Sequence, residues 1–457
     1  MSEISREQLS LKRRVVEAGL WTIGGYALGQ LVRLASNLLM TRLLLPEMFG
    51  VVTLAYLVMT GLTLLSDVGL VQNIVQSERG GDPRFLNTAW ILQIVRGILL
   101  WIAAVGVAAL IAAADYLGLV PAGTVYADSR LPYVIAILAS TAVFTGLRST
   151  KFYEAYRDLA FGRVTLLGIA GQAAGLVCML AWASVDRSIW ALVAGGICST
   201  VTQTILSHAW LGGTPNRWEW DRSASAEIFR FGRWIFASSI LGFLASNADR
   251  LLLGSMVDAT VLGIYVIAFL LFSSVEQILA RIIQSVGFPA LSEIVRERKG
   301  LKAVYYRLHT VIAGSSYASA GFLMMSGQAL VDILYDRRYA QAGWMLEALA
   351  IGLVSVPSQI AVQCYMALGA SGLTAIVAGV RLLVLLILLP VGFNYWGLPG
   401  ALAGIVLSYL SAVPTTILIS RRYDLLDARK ELSVLPAILL GMLAGKLLTL
   451  AIGSLLP

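Results

Sequence analysis

An all-α polytopic membrane protein is the fold class this sequence predicts, and three observations predict it. Of the 457 residues, 58% are hydrophobic and only 13% are charged, about half the charge of an average soluble domain (~25%). The apolar residues fall into runs of about 20, the length that crosses a bilayer core at ~1.5 Å per residue. Basic residues cluster in alternate loops. With the N-terminus inside, the inner loops collect Lys12, Arg13, Arg14, Arg79, Arg148, Lys151, Arg157, Arg230, Arg296, Arg298, Lys299, Arg421 and Arg422, whereas the outer loops hold only Arg42, Arg130, Arg187, Arg337 and Arg338. That asymmetry fixes the expected orientation. It also assigns the net charge of +8 to topology and contact with anionic membrane lipids, so no nucleic-acid partner is required.

The elements follow in order. Residues 1–16 are polar and amphipathic, a cytoplasmic N-terminal segment. Spans are expected near 17–40, 50–71, 88–113, 131–147, 164–185 and 189–210, then 234–256, 261–287, 306–327, 344–368, 374–392 and 398–419, with a further apolar stretch at 434–456. The chain appears twice in outline. Gly19, Trp21, Leu28, Gly29, Leu38, Leu39 and Gly50 recur at one fixed interval as Gly232, Trp234, Leu241, Gly242, Leu251, Leu252 and Gly263. The expected organisation is therefore two six-helix bundles, 17–212 and 234–419, joined by a cytoplasmic linker 213–233 and followed by a basic loop and apolar helix over 420–457. About twelve core helices and one extra C-terminal helix result. Arg217, Trp218 and Trp220 in the linker suit an interfacial anchor.

Polar residues inside the spans carry the functional signal, because an ionisable group at mid-bilayer costs at least ~2.5–3.5 kcal/mol and should face protein or water. Span one aligns Gln30, Arg33 and Asn37 on one face. Its Gly25 and Gly29 form a small-residue packing surface, as do Gly441 and Gly445 in the last stretch. Span three carries Gln93 and Arg96, and span seven Asp249 and Arg250. Span eight carries Glu276, Gln277, Arg281 and Gln284. Span ten has Glu347, Gln359 and Gln363 around Pro357, which permits a bend. Span eleven has Arg381 and the final stretch Lys446. Arginines from both halves are expected to line a central cavity and attract an anion, since the planar guanidinium donates in pairs and stays charged. Asp249 and Glu276 are the candidates for coupling to an ion. Asp249 beside Arg250 also reads as a local ion pair.

The runs LLLPEMFG (residues 43–50), SDVGLVQNIVQ (66–76), NTAWILQIVRG (87–97) and FGRWIFASSILGFLASNADRLLLG (231–254), with Asn216–Asp221 and Leu262–Tyr265, resemble Wzx-type polysaccharide flippases of the multidrug/oligosaccharidyl-lipid/polysaccharide (MOP) exporter superfamily. The likeness covers most of the first 270 residues and thins thereafter. It implies two bundles around a cavity that opens alternately to each side, and a cargo of oligosaccharide on undecaprenyl pyrophosphate moved to the periplasmic leaflet of the bacterial inner membrane. Under that reading Arg33, Asn37, Gln93, Arg96, Arg250, Arg281, Gln359 and Arg381 bind the headgroup, and polysaccharide polymerase or export proteins are the expected partners.

No catalytic motif is present. No phosphate-binding glycine loop runs into Lys-Ser/Thr, and Cys178, Cys198 and Cys364 have no metal or disulfide spacing. Neither a cofactor nor a metal is expected, and the protein is not expected to be an enzyme. A drug antiporter of the same superfamily is the nearest alternative, disfavoured by the basic rather than acidic interior. A membrane polymerase or glycosyltransferase is the second, disfavoured by short loops.

Overall fold

The computed structural model describes most of residues 24–455; residues 1–23, much of 67–78 and a few scattered positions lie outside the described set. The N-terminal segment 1–16, the glycine and tryptophan that open the first repeat, and Asp67 therefore lie outside it. Among the described residues every regular element is helical, and the expectation of an all-α membrane protein is met. Among the described residues eight helices are long and apolar enough to cross a membrane, or nine if one sharply bent pair counts as a span. The chain divides into two compact units, Met1–Phe243 and Leu244–Pro457.

Unit 1 contains α1 (27–43), α2 (Pro46–Leu65), α3 (Pro83–Tyr116), α4 (Leu131–Leu138), α5 (Ser140–Gly146), α6 (Lys151–Arg157), α7 (Phe161–Val185) and α8 (Trp190–Ala209). Proline near the first helical position starts α2 and α3, where the missing N–H costs nothing. Asp82 caps α3 by accepting from the Arg84 amide at 3.0 Å. Glycines set the closest helix approaches. A Cβ on Gly25, ahead of α1, would strike Thr165 of α7, and one on Gly175 of α7 would meet the carbonyl of Gly195 of α8, the close backbone contact that small residues allow.

Two stretches read from sequence as loops are ordered. Residues 148–163 contain α6, which leaves the α4–α5 axis at 64°. Residues 213–221 lie pinned on unit 1. Asn216 accepts from Ser149 Oγ (2.6 Å) and donates to Thr150 Oγ1 (2.6 Å), Glu154 accepts from Thr214, and the Arg217 amide donates to Asn87 Oδ1 at 2.9 Å. Arg79 pairs with Asp221 at 2.7 Å and Asp82 at 3.2 Å, and Trp218 packs on Trp90 with centroids 5.2 Å apart. The Arg79 guanidinium, with hydrogen bonds from Ser223, holds the Asp221 carboxyl well below the usual carboxylate range.

α9 (Arg222–Gly254) contains the boundary between the units. Unit 2 then has α10 (Ala259–Ile282), a π-helical turn (Ile283–Gly287), α11 (Phe288–Glu297), α12 (Leu301–Leu334), α13 (Ala342–Ala350), α14 (Ser358–Ala367), α15 (Ser371–Leu410), α16 (Ala412–Arg422), α17 (Ala428–Ser433) and α18 (Pro436–Leu455). The α10 path continues beyond the expected end near 287 because the π turn passes it into α11. A 3-10 turn, Ile351–Ser355, precedes Pro357 and separates α13 from α14, the break that proline permits. α15 is two helices merged across Gly397, whose φ of 64° is left-handed and suits glycine. α18 packs along α12. Side chains on Gly321, Gly441 or Gly445 would collide with backbone of Ile438, Ala318 and Phe322 respectively.

Candidate functional site

Each unit gathers a polar cluster around in-span arginines. In unit 1 the organising residue is Gln93, only 4% exposed. The bend between α5 and α6 releases carbonyls that no helix can satisfy, a serious cost in an apolar medium. Gln93 Nε2 donates to the carbonyls of Thr145 (2.8 Å), Gly146 (2.9 Å) and Arg148 (3.2 Å), while its Oε1 accepts from Tyr153 Oη at 2.7 Å. Trp90 Nε1 and His208 Nε2 bond the Leu147 carbonyl at 3.3 and 2.8 Å, and Thr204 donates to Phe144 O at 2.8 Å. A Cβ on Gly146 would press on the Gln93 carbonyl, and one on Gly97 would press on that of Ala142. The bent span therefore sits backbone to backbone on α3.

One turn along α3 is Arg96. Its Nε donates to Ser66 Oγ at 3.0 Å and its Nη2 to Thr63 O at 2.7 Å. A cation is thereby placed at the C-terminal end of α2, where the helix dipole favours it. Gln93 and Arg96 together line a cavity of about 280 Å³ with Thr60, Thr63, Thr141 and Thr145.

In unit 2, α9, α10 and both legs of α15 bring four charges together. Asp249 is buried and accepts from Tyr265 Oη at 2.6 Å. Arg250 pairs with Asp249 at 3.4 Å, donates to the Ser246 carbonyl, and lies 4.2 Å from the centroid of Phe269. Arg381 lies over Tyr409 at 3.8 Å, and its buried Nε has no hydrogen-bond partner among the described residues. Glu276 feels the charges of Arg381, Asp249 and Arg250. Tyr265, Phe269, Phe272 and Tyr409 form a chain of ring contacts at 5.3–6.0 Å beneath them. Cation–π contact and paired carboxylates are what make buried guanidinium groups tolerable. Among the described residues the cluster holds two acids and two bases.

Of the residues proposed from sequence, the structure thus brings together Gln93 with Arg96, and Asp249, Arg250, Glu276 and Arg381. Arg33 and Asn37 lie on α1, exposed and half-buried respectively, and Arg281 is exposed beside the π turn. Gln359 is half-buried in the first turn of α14. None of these four lines the 280 Å³ cavity. Sequence reasoning missed Tyr153, Tyr265 and Tyr409, because their partners lie far away along the chain.

Against known proteins, residues 39–343 match the family model described as "Polysaccharide biosynthesis protein". The lipopolysaccharide biosynthesis protein WzxC of Escherichia coli (strain K12) is 21% identical over 75% of this chain and 68% of its own length. The teichuronic acid biosynthesis protein TuaB of Bacillus subtilis (strain 168) is 20% identical over 63% of this chain and 57% of its own. Among solved structures, the lipid II flippase MurJ in an inward closed conformation superposes with a TM-score of 0.71 at 12% identity, covering 95% of this chain and 98% of that one. An inward-facing multidrug resistance MATE family transporter of the MOP superfamily superposes with a TM-score of 0.65 at 14% identity, covering 94% and 96%. The chain shares its fold with these two proteins.

Proposed function

The chain belongs to the polysaccharide biosynthesis protein family, and from that premise we propose that it is a Wzx-type flippase moving a lipid-linked oligosaccharide from the cytoplasmic to the periplasmic leaflet of a bacterial inner membrane. The observation that carries the reading is the family match across two thirds of the chain, on a fold shared with the lipid II flippase MurJ. The carrier lipid is undecaprenyl pyrophosphate, and the N-terminus is cytoplasmic, in keeping with the basic inner loops. Transport proceeds by alternating access.

The headgroup meets arginine. Arg250 and Arg381 are matched by Asp249 and Glu276. Arg33, Arg96 and Arg281 are the further in-span arginines assigned to the headgroup, with Asn37, Gln93 and Gln359 as neutral hydrogen-bonding groups. Asp249 and Glu276 stand as candidates for ion coupling. The membrane-embedded character and the absence of a catalytic motif in the sequence support transport rather than synthesis.

The test is reconstitution in liposomes with a fluorescent lipid-linked oligosaccharide, scored by its accessibility to an external quencher. Wild-type protein exchanges the probe between leaflets. Arg33→Ala and Arg281→Ala insert normally and lose exchange. A wild-type rate equal to that of protein-free vesicles overturns the reading.

A further inference from the structure

α7 and α8 form an antiparallel hairpin through the short connection 186–189. Their contact face is built on glycine. A Cβ on Gly175 would come within 2.8 Å of the Gly195 carbonyl and 3.0 Å of Ser199 Cβ, and one on Gly195 would strike Met179. The turn of α7 that carries Gly175 and Met179 therefore faces the turn of α8 that carries Gly195 and Ser199. Residues one position earlier on these turns share the seam, since neighbours at i, i+3 and i+4 lie on one helix face. Those residues are Ala174 and Cys178 on α7, and Cys198 on α8.

The side chains meet as this register requires. Cys198 Sγ donates to the Ala174 carbonyl at 3.7 Å, and the Cys178 thiol is hydrogen-bonded to Cys198. Depth agrees. Cys178 lies seven residues before the end of α7 at Val185, and Cys198 eight residues after the start of α8 at Trp190. At ~1.5 Å per residue both sit about 10–12 Å in from the same end of the hairpin. Both cysteines are half-buried, and Val177 beside them is 67% exposed on the outer surface of α7. Cys364, in unit 2, is fully buried. Neither member of the pair lines the 280 Å³ cavity or touches the arginine clusters described above.

We propose that Cys178 and Cys198 are a dithiol that a hydroperoxide oxidises to a disulfide, stapling α7 to α8. The inference is independent of the flippase reading. A disulfide needs Cα atoms about 4.4–6.8 Å apart, which demands a close seam of the kind that glycine provides. An uncharged hydroperoxide enters an apolar layer without the desolvation cost of an ion. One thiol sulfur attacks the terminal peroxide oxygen. An S–O bond forms, the O–O bond breaks, and the alkoxide leaves as an alcohol with the thiol proton. The product is a sulfenic acid. The second sulfur then displaces its hydroxyl. The S–S bond forms, the S–O bond breaks, and hydroxide leaves as water with the second thiol proton. Two electrons pass from the two thiols to one peroxide. The neighbouring sulfur decides the outcome, because a sulfenic acid with a thiol already in contact condenses with it.

The experiment treats the purified full-length protein in nanodiscs with cumene hydroperoxide. It is read by intact mass and by peptide mass spectrometry without reduction. The expected result is loss of two hydrogen masses, a joined pair of peptides carrying Cys178 and Cys198, and reversal by dithiothreitol. The pair should react at least tenfold faster than Cys364. Cys178→Ser stops the joining, and dimedone then labels Cys198 as the trapped sulfenic acid. Cys364→Ser leaves the joining unchanged. An unchanged mass, oxygen adducts on single cysteines with no joined peptide, or joining only between two copies of the chain overturns the inference.

Discussion

Gln93→Met gives the sharpest test of how unit 1 is held. Methionine matches glutamine in length and removes every hydrogen bond. The amide nitrogen has two protons shared among three carbonyls, and the amide oxygen takes one from Tyr153. About three bonds' worth is lost, at ~0.5–1.5 kcal/mol each, with a larger cost if the buried carbonyls find no substitute. Interhelical hydrogen bonds in membranes run toward the lower figure, averaging ~0.6 kcal/mol. The expected loss is therefore about 2–4 kcal/mol. At ~2–4 °C per kcal/mol for a unit of roughly 200 residues, the melting temperature should fall by about 4–16 °C, read by thiol-reactive dye or by aggregation of a fluorescent fusion. Tyr153→Phe removes one of these bonds and should cost about 1 kcal/mol. The double variant should cost less than the sum, since the residues share a bond. An unchanged melting temperature in Gln93→Met, or strict additivity with Tyr153→Phe, refutes the role assigned to this side chain.

Three further outcomes follow from other contacts. Tyr265→Phe removes a bond to a buried carboxylate and should destabilise unit 2 by about 1.5–3 kcal/mol; a change below ~0.5 kcal/mol in an unfolding titration would place the Asp249 carboxylate elsewhere. Gly441→Leu must push α18 from α12, so cysteine cross-linking between the two helices should fail while Leu443→Trp leaves it intact. The pinning of 213–221 should depend on pH in one direction. Asp221 is held below its ordinary value by Arg79, so its contribution is whole above pH ~4, the unfolded carboxylate value, and disappears as pH falls through the lower folded value. Hydrogen exchange across 213–221, corrected for intrinsic rates, should accelerate below pH ~4, and in Asp221→Asn should be fast already at pH 7.

Much of the fold was legible because the bilayer enforces it. Hydropathy alone placed α2, α3, α7, α8 and α18, and the glycines at 441 and 445 marked a packing seam that the structure contains. Pro357 marked the break between α13 and α14. The Asp249–Arg250 pair was visible as adjacent letters. The 64° bend after α5 was not, since nothing near Gly146 is a proline and the groups that support the bend come from α3 and α8, more than fifty residues away in sequence. The π turn had no compositional sign. Nor did the ordering of 213–221, which arises from side chains of α3, α6 and the connections that precede them meeting in space. In the candidate site, residue types pointed to buried charge, but the sequence did not show that α9, α10 and α15 bring Asp249, Arg250, Glu276 and Arg381 within electrostatic range of one another.

The glycine seam between α12 and α18 has a consequence for biogenesis. Some 120 residues separate Gly321 from Gly441, which at ~5–20 residues per second is about 6–24 s of synthesis. During that interval the carbonyl-lined trough on α12 waits in the membrane for a helix not yet made. When α18 arrives, its leucines at 439, 443, 447 and 450 turn outward to the lipid and cover that trough. α18 is thus a lid that arrives long after the groove it closes, and a ribosome stalled between the two would leave that groove open to any passing helix.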